Sequence, residues 1–152
     1  MPRPTSTGPS GGIRRLQGLH CEMTVFRPVP GVVVLTIRGH DVGEFGKAPM
    51  REIEQYLRED VRIELFVDAR EAAASIDVSG EWAQWLAQHR GSCRGITMLT
   101  GSRLIEVTAE FVRGFADLGA LMTIVSDPDD FDRRLAAATS SDGGGSASRS
   151  IS

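Results

Sequence analysis

Between Val61 and Arg90 the chain reads VRIELFVDAREAAASIDVSGEWAQWLAQHR. Ile63, Leu65, Phe66 and Val67 make an apolar run with little polar relief, which suits a strand buried on both faces of a sheet. The run stops at Asp68. After a small-residue loop, Asp77 and Ser79 stand where a helix can begin. Val78, Trp82, Trp85 and Leu86 then recur at helical spacing, so both tryptophans can face one core. A buried strand that feeds a helix through a polar corner is where an α/β fold presents functional groups.

The flanking chain extends this pattern. His20 to Arg27 alternates as a partly exposed strand, Val29-Pro30-Gly31 reads as a turn, and Val32 to Arg38 is a strong strand, so the pair predicts a hairpin. Phe45 to Glu59 has helical spacing, with Pro49 tolerated in its first turns. Beyond the tryptophan helix come a strand (Gly95 to Thr100), a helix carrying Leu104, Val107, Thr108, Phe111, Val112, Phe115 and Leu118, and a strand from Leu121 to Val125. Ser126-Asp127-Pro128 then opens a last helix, a cap followed by proline. The order β-β-α-β-α-β-α-β-α predicts an α/β fold: a mixed, mostly parallel sheet with an N-terminal antiparallel hairpin and about four covering helices. Residues 1–18 are expected to be a disordered tail, 19–138 the domain, and 139–152 a second, Gly/Ser-rich disordered tail.

Composition narrows the function classes. The chain has 152 residues, 41% hydrophobic and 24% charged, with a formal net charge of -3. That suits one globular domain and argues against nucleic acid as the main partner. Cys21 and Cys93 read as reduced structural thiols, and no histidine or cysteine spacing fits a metal, so neither metal nor cofactor is expected. There is no stretch long enough for a membrane span and no secretory h-region, which predicts a cytoplasmic protein. His40-Asp41 are sequence neighbours, a poor geometry for a proton relay. No Gly-x-Ser-x-Gly stands at a strand-to-helix elbow (the one match, Gly8 to Gly12, falls in the expected tail), and there is no P-loop or Gly-x-Gly-x-x-Gly, so an enzyme is not expected.

From Met23 to Ala137 the ordered set of motifs resembles the STAS domain, the family of anti-sigma factor antagonists (SpoIIAA-like). VVVLTIRGHD matches the second hairpin strand with its glycine and nearby aspartate. IELFVDA matches the buried strand, and Asp77-Val78-Ser79-Gly80 falls at the family's Asp-Ser-Ser/Thr-Gly signature. Val78 replaces the first serine, and Glu81 stands where the family has an apolar residue. The resemblance implies a non-catalytic protein-binding module with Ser79 as its phosphorylation switch. It implies a partner surface around Asp41, Asp77, Ser79, Gly80, Glu81 and Trp82, facing an anti-sigma factor, a serine-kinase-like protein or another signalling protein. Phosphate at a helix N-terminus is stabilised by backbone N–H groups, and its charge can repel a docked surface. On the residues alone, Ser79 or Asp77 is equally readable as a plain N-cap. The alternative within the same fold group, a small-ligand or lipid-binding domain similar to Sec14 domains, predicts an apolar pocket beneath the helices.

Overall fold

The structure, a computed structural model, describes residues 12–60 and 62–140. Its elements run β1 (Arg14–Gln17), β2 (Cys21–Val29), β3 (Val32–Asp41), α1 (Ala48–Glu59), β4 (Ile63–Ala74), α2 (Ile76–Gln88), β5 (Cys93–Thr100), α3 (Arg103–Phe115), β6 (Met122–Val125) and α4 (Pro128–Ser140). The strands form one sheet in sequence order. β1, β2 and β3 are antiparallel, and β3 to β6 are parallel. This is the mixed α/β sheet with an antiparallel N-terminal edge and four helices that the sequence predicts.

The edge has one strand more than a hairpin. Arg14–Gln17 pairs with β2, from Arg14 opposite Val25 to Gln17 opposite Glu22, and buries Leu16. The expected tail of residues 1–18 therefore contains an ordered strand. A strand of four residues with one buried side chain carries no period for a sequence to reveal. Thr139 and Ser140, expected in the C-terminal tail, end α4; residues 1–11 and 141–152 lie outside the described residues.

Each parallel crossover is right-handed by preference, and each advances the sheet by one strand in the same direction, so α1, α2 and α3 land on one face. α4 follows the last strand and covers the other. Alternation along β4 shows the two layers. Leu65 and Val67 join Ile53, Trp85 and Ile105 in the three-helix core, while Phe66 joins Val32, Leu99 and Phe131 beneath α4. The Phe66 and Phe131 rings meet edge to face, with centroids 5.8 Å apart. Phe131 is the buried anchor of α4.

The predicted turn is present, and α1 holds it. The Asp60 carboxylate accepts the Gly31 N–H at 2.9 Å and pairs with the Arg27 guanidinium at 3.2 Å. Arg27 also lies over the Tyr56 ring. Charge-assisted bonds of this kind are about twice as strong as neutral ones.

β3 and β4 run on together beyond the rest of the sheet. β5 ends opposite Ala69, but β4 continues to Ala74, paired with Arg38 to Asp41 of β3. Two glycines permit this arm. Gly39 has φ +95°, and a Cβ there would sit 2.4 Å from the His20 carbonyl oxygen. A Cβ on Gly101 would sit 1.9 Å from the Arg70 carbonyl oxygen. The backbones cross too closely at both places for any side chain.

Candidate functional site

The arm delivers the chain to α2 one turn earlier than the signature suggests. Ser75 is the N-cap: its Oγ accepts the Val78 N–H at 3.2 Å. Ser79 lies inside the first turn, where its hydroxyl donates to the Ser75 carbonyl at 3.0 Å. It is 7% exposed. The capping role expected of Ser79 or Asp77 therefore belongs to Ser75. Asp77, in the first turn, is exposed near the positive end of the helix dipole, a favourable place for a carboxylate.

The residues singled out from sequence separate into two groups. Asp41, Ser79 and Trp82 share the wall of one cavity, together with Ile37, Ala73 and Thr108. Asp77 and Glu81 are exposed on α2, with Gly80 half-buried beside them. The cavity lies between α2, α3 and the β3–β4 arm, at the carboxyl ends of the parallel strands, where open α/β sheets accept ligands. Its volume is about 90 Å³. An apolar cavity of about 150 Å³ admits benzene, so this smaller one suits a xenon atom or the end of a short alkyl chain.

The wall is apolar because its hydroxyls are already engaged. Ser79 donates to Ser75, and Thr108 donates to the Leu104 carbonyl at 3.0 Å. Asp41 is buried at the end of β3 and accepts the Gly43 N–H at 3.0 Å. Burial pushes its pKa above the ordinary carboxylate value, and Glu44 and Glu81 add to the rise, against the Gly43 hydrogen bond. Neighbouring Cys21 is pushed up to about 12, first by burial and then by Asp41 and Glu44. Burial also raises Cys93, so both thiols are buried, free and unactivated.

The tryptophans divide the labour of α2. Trp85 is buried and donates from Nε1 to the Glu54 carboxylate at 2.7 Å, with His89 stacked on its other side at 4.3 Å. Trp82 is half-buried, meets Trp85 edge to face, and lines the cavity. His40 is exposed while Asp41 is buried, as alternation along a strand requires, so the two form no relay. The sequence did not mark Ala72, Ala73, Ala74 or Thr108 as site residues. An alanine run carries no chemical signal, and Thr108 gains its role only where α3 passes α2.

Among the described residues no group of three or more His, Cys, Asp or Glu side chains is placed to hold a metal. No helix among them is long and apolar enough to cross a membrane.

No protein-family profile matches the sequence, and no curated protein matches it. A solved structure does match: an uncharacterised protein of the DUF3478 family with a SpoIIAA-like fold, from Shewanella loihica PV-4. The two share 13% identity with a TM-score of 0.55, over 79% of this chain and 98% of that one. At that identity the likeness speaks for architecture, and the architecture of this chain is SpoIIAA-like.

Proposed function

We propose that this is a non-catalytic STAS-type binding domain whose ligand is small and apolar, held between α2, α3 and the β3–β4 arm. The supporting observation is the cavity, where Asp41, Ser79 and Trp82 meet in an otherwise apolar wall. Burying a ligand there gains about 25 cal/mol per Å² of apolar surface removed from water, so the end of a short alkyl chain suits roughly millimolar affinity.

Trp82 supplies the readout. Titration with 1-hexanol is expected to change tryptophan emission saturably. Thr108→Phe, which fills the cavity from its half-exposed α3 side, is expected to weaken binding by tenfold or more without unfolding the protein. A linear, non-saturating response in the unaltered protein would exclude the reading.

The exposed carboxylates of α2 favour a second reading in the same domain. Asp77, Gly80 and Glu81 form the side of α2 toward which a signalling partner would dock, with Ser79 as the phosphorylated residue. Because Ser79 is buried and bonded to Ser75, a kinase reaches it only after the first turn of α2 unwinds. Treatment with a broad-specificity serine kinase and ATP, followed by peptide mapping, tests this. Stoichiometric phosphate on Ser79 of the folded protein favours the switch; phosphate there only after denaturation removes it.

A further inference from the structure

The first turn of α2 is weakly held. Ile76 is 87% exposed and Asp77 is exposed, so Val78 and Ser79 are the side chains this turn buries. Its cap is the single Ser75 hydroxyl on the Val78 N–H. The residues that lead into it, Ala72 to Ala74, pair with β3, while β5 has already ended opposite Ala69. Gly80 follows directly. A Cβ on Gly80 would meet nothing within 4 Å, so no contact requires a glycine there. Glycine inside a helix lowers the helical equilibrium about fivefold relative to alanine. Segments that bury this little open locally while the rest of the fold stays closed.

The same turn is one wall of the cavity. Val78 and Ser79 line it, and Trp82 continues that wall. Opening the turn breaks both bonds from Ser79 to the Ser75 carbonyl, one from the N–H and one from the hydroxyl, each 3.0 Å long. One motion therefore removes two wall residues from the cavity and presents the Ser79 hydroxyl to water.

We infer that the first turn of α2 is a latch that the ligand holds shut. This rests on the reading that the cavity takes a small apolar molecule. A filled cavity gives Val78 and Ser79 a packing partner that exists only while the turn is closed. A ligand that binds one of two states favours that state by a factor of 1 + [L]/Kd. Ligand concentration therefore sets the exposure of Ser79: with the cavity occupied the hydroxyl is hidden, and with it empty the hydroxyl is intermittently presented for modification. Linkage makes the effect reciprocal, so whatever captures the opened turn expels the ligand.

Ser79→Cys reads the latch at the side chain concerned. The two native thiols, Cys21 and Cys93, are buried and their pKa values are raised, so they stay silent toward a thiol reagent while the protein is folded. N-Ethylmaleimide, with the product located by peptide mass mapping, is expected to label the introduced thiol in the folded protein. 1-Hexanol at about ten times its Kd should slow that labelling about tenfold. Adding Gly80→Ala should slow it about fivefold without any ligand. In the unaltered chain, hydrogen exchange followed by NMR should be faster at the Val78 and Ser79 amides than at Trp85 and Leu86 of the same helix, and hexanol should slow the first pair by the same factor of about ten. Saturable hexanol binding with unchanged labelling and exchange overturns the latch and leaves the site standing. Exchange at Val78 and Ser79 no faster than at Trp85 and Leu86 also overturns it, since the turn then opens only with the whole fold. Absence of saturable binding overturns the latch together with the cavity reading.

Discussion

Gly101→Ala is expected to destabilise the protein by about 3 kcal/mol, at the upper end of what overpacking costs, and to lower the melting temperature by roughly 10 °C. The new methyl group would lie 1.9 Å from the Arg70 carbonyl oxygen. That neighbour is backbone in the middle of β4, so it cannot rotate aside like a side chain. Relief requires β4 to leave its place beside the β5–α3 corner, and the segment from Ala72 to Ala74 moves with it. The same substitution should therefore weaken binding of a small apolar ligand, because those alanines line the cavity. Thermal unfolding followed by circular dichroism, with hexanol titration of the folded variant, measures both effects. A melting point within a degree or two of the unaltered protein would show that β4 does not pass Gly101 at this distance.

Phe131→Ala should cost about as much stability, roughly 3 kcal/mol or more, and leave the site intact. Phe131 anchors α4, and its ring fills the space above Phe66 on the sheet face opposite the cavity. Removing it leaves a hole under α4 that the remaining contacts, such as those of Leu135 and Ala138, cannot close. Urea unfolding should show the lower midpoint, while hexanol affinity at low urea stays within about twofold, since sites far apart act independently. The pair of variants separates the two layers: one disturbs fold and cavity together, the other the fold alone. Equal loss of ligand affinity in both would mean that the layers are coupled.

The parts legible in the sequence are those in which local chemistry and tertiary environment agree. Phe66 between Leu65 and Val67 announces a strand covered on both faces, and the two-layer core is the result. Pro30-Gly31 announces the turn, and Gly31 adopts φ +87° there. The arm was not legible. Arg70 to Ala74 reads REAAA, rich in residues that favour helix, and it becomes strand only because β3 offers it a partner to Asp41. The length of that arm then decides which residue caps α2. Ser75, Asp77 and Ser79 are all acceptable caps within one turn, and local preference cannot choose among them. β4 ends at Ala74, so Ser75 takes the position and Ser79 turns inward. For α3 the apolar residues were legible, but their division was not. Ile105 and Val112 face the core, whereas Leu104, Phe111 and Phe115, which a periodic pattern would also send inward, remain outside.

The same geometry orders the functional alternatives. A phosphoswitch needs a hydroxyl that a kinase can reach, and the Ser79 hydroxyl is buried, donating a hydrogen bond to the Ser75 carbonyl. An apolar site needs a wall whose polar groups make no demand on the ligand, and Ser79 and Thr108 meet that need by bonding to their own helices. The two roles draw on one residue in opposite ways, so evidence for either bears on the other.

The central claim is that a small apolar molecule fits between α2, α3 and the β3–β4 arm. Crystals of the protein pressurised with xenon test it most directly, because xenon enters apolar cavities without needing any polar contact. The account predicts a xenon site within contact distance of Ala73, Trp82 and Thr108. Xenon bound elsewhere, or a Trp82 ring folded into that space with no gas beside it, would contradict the account.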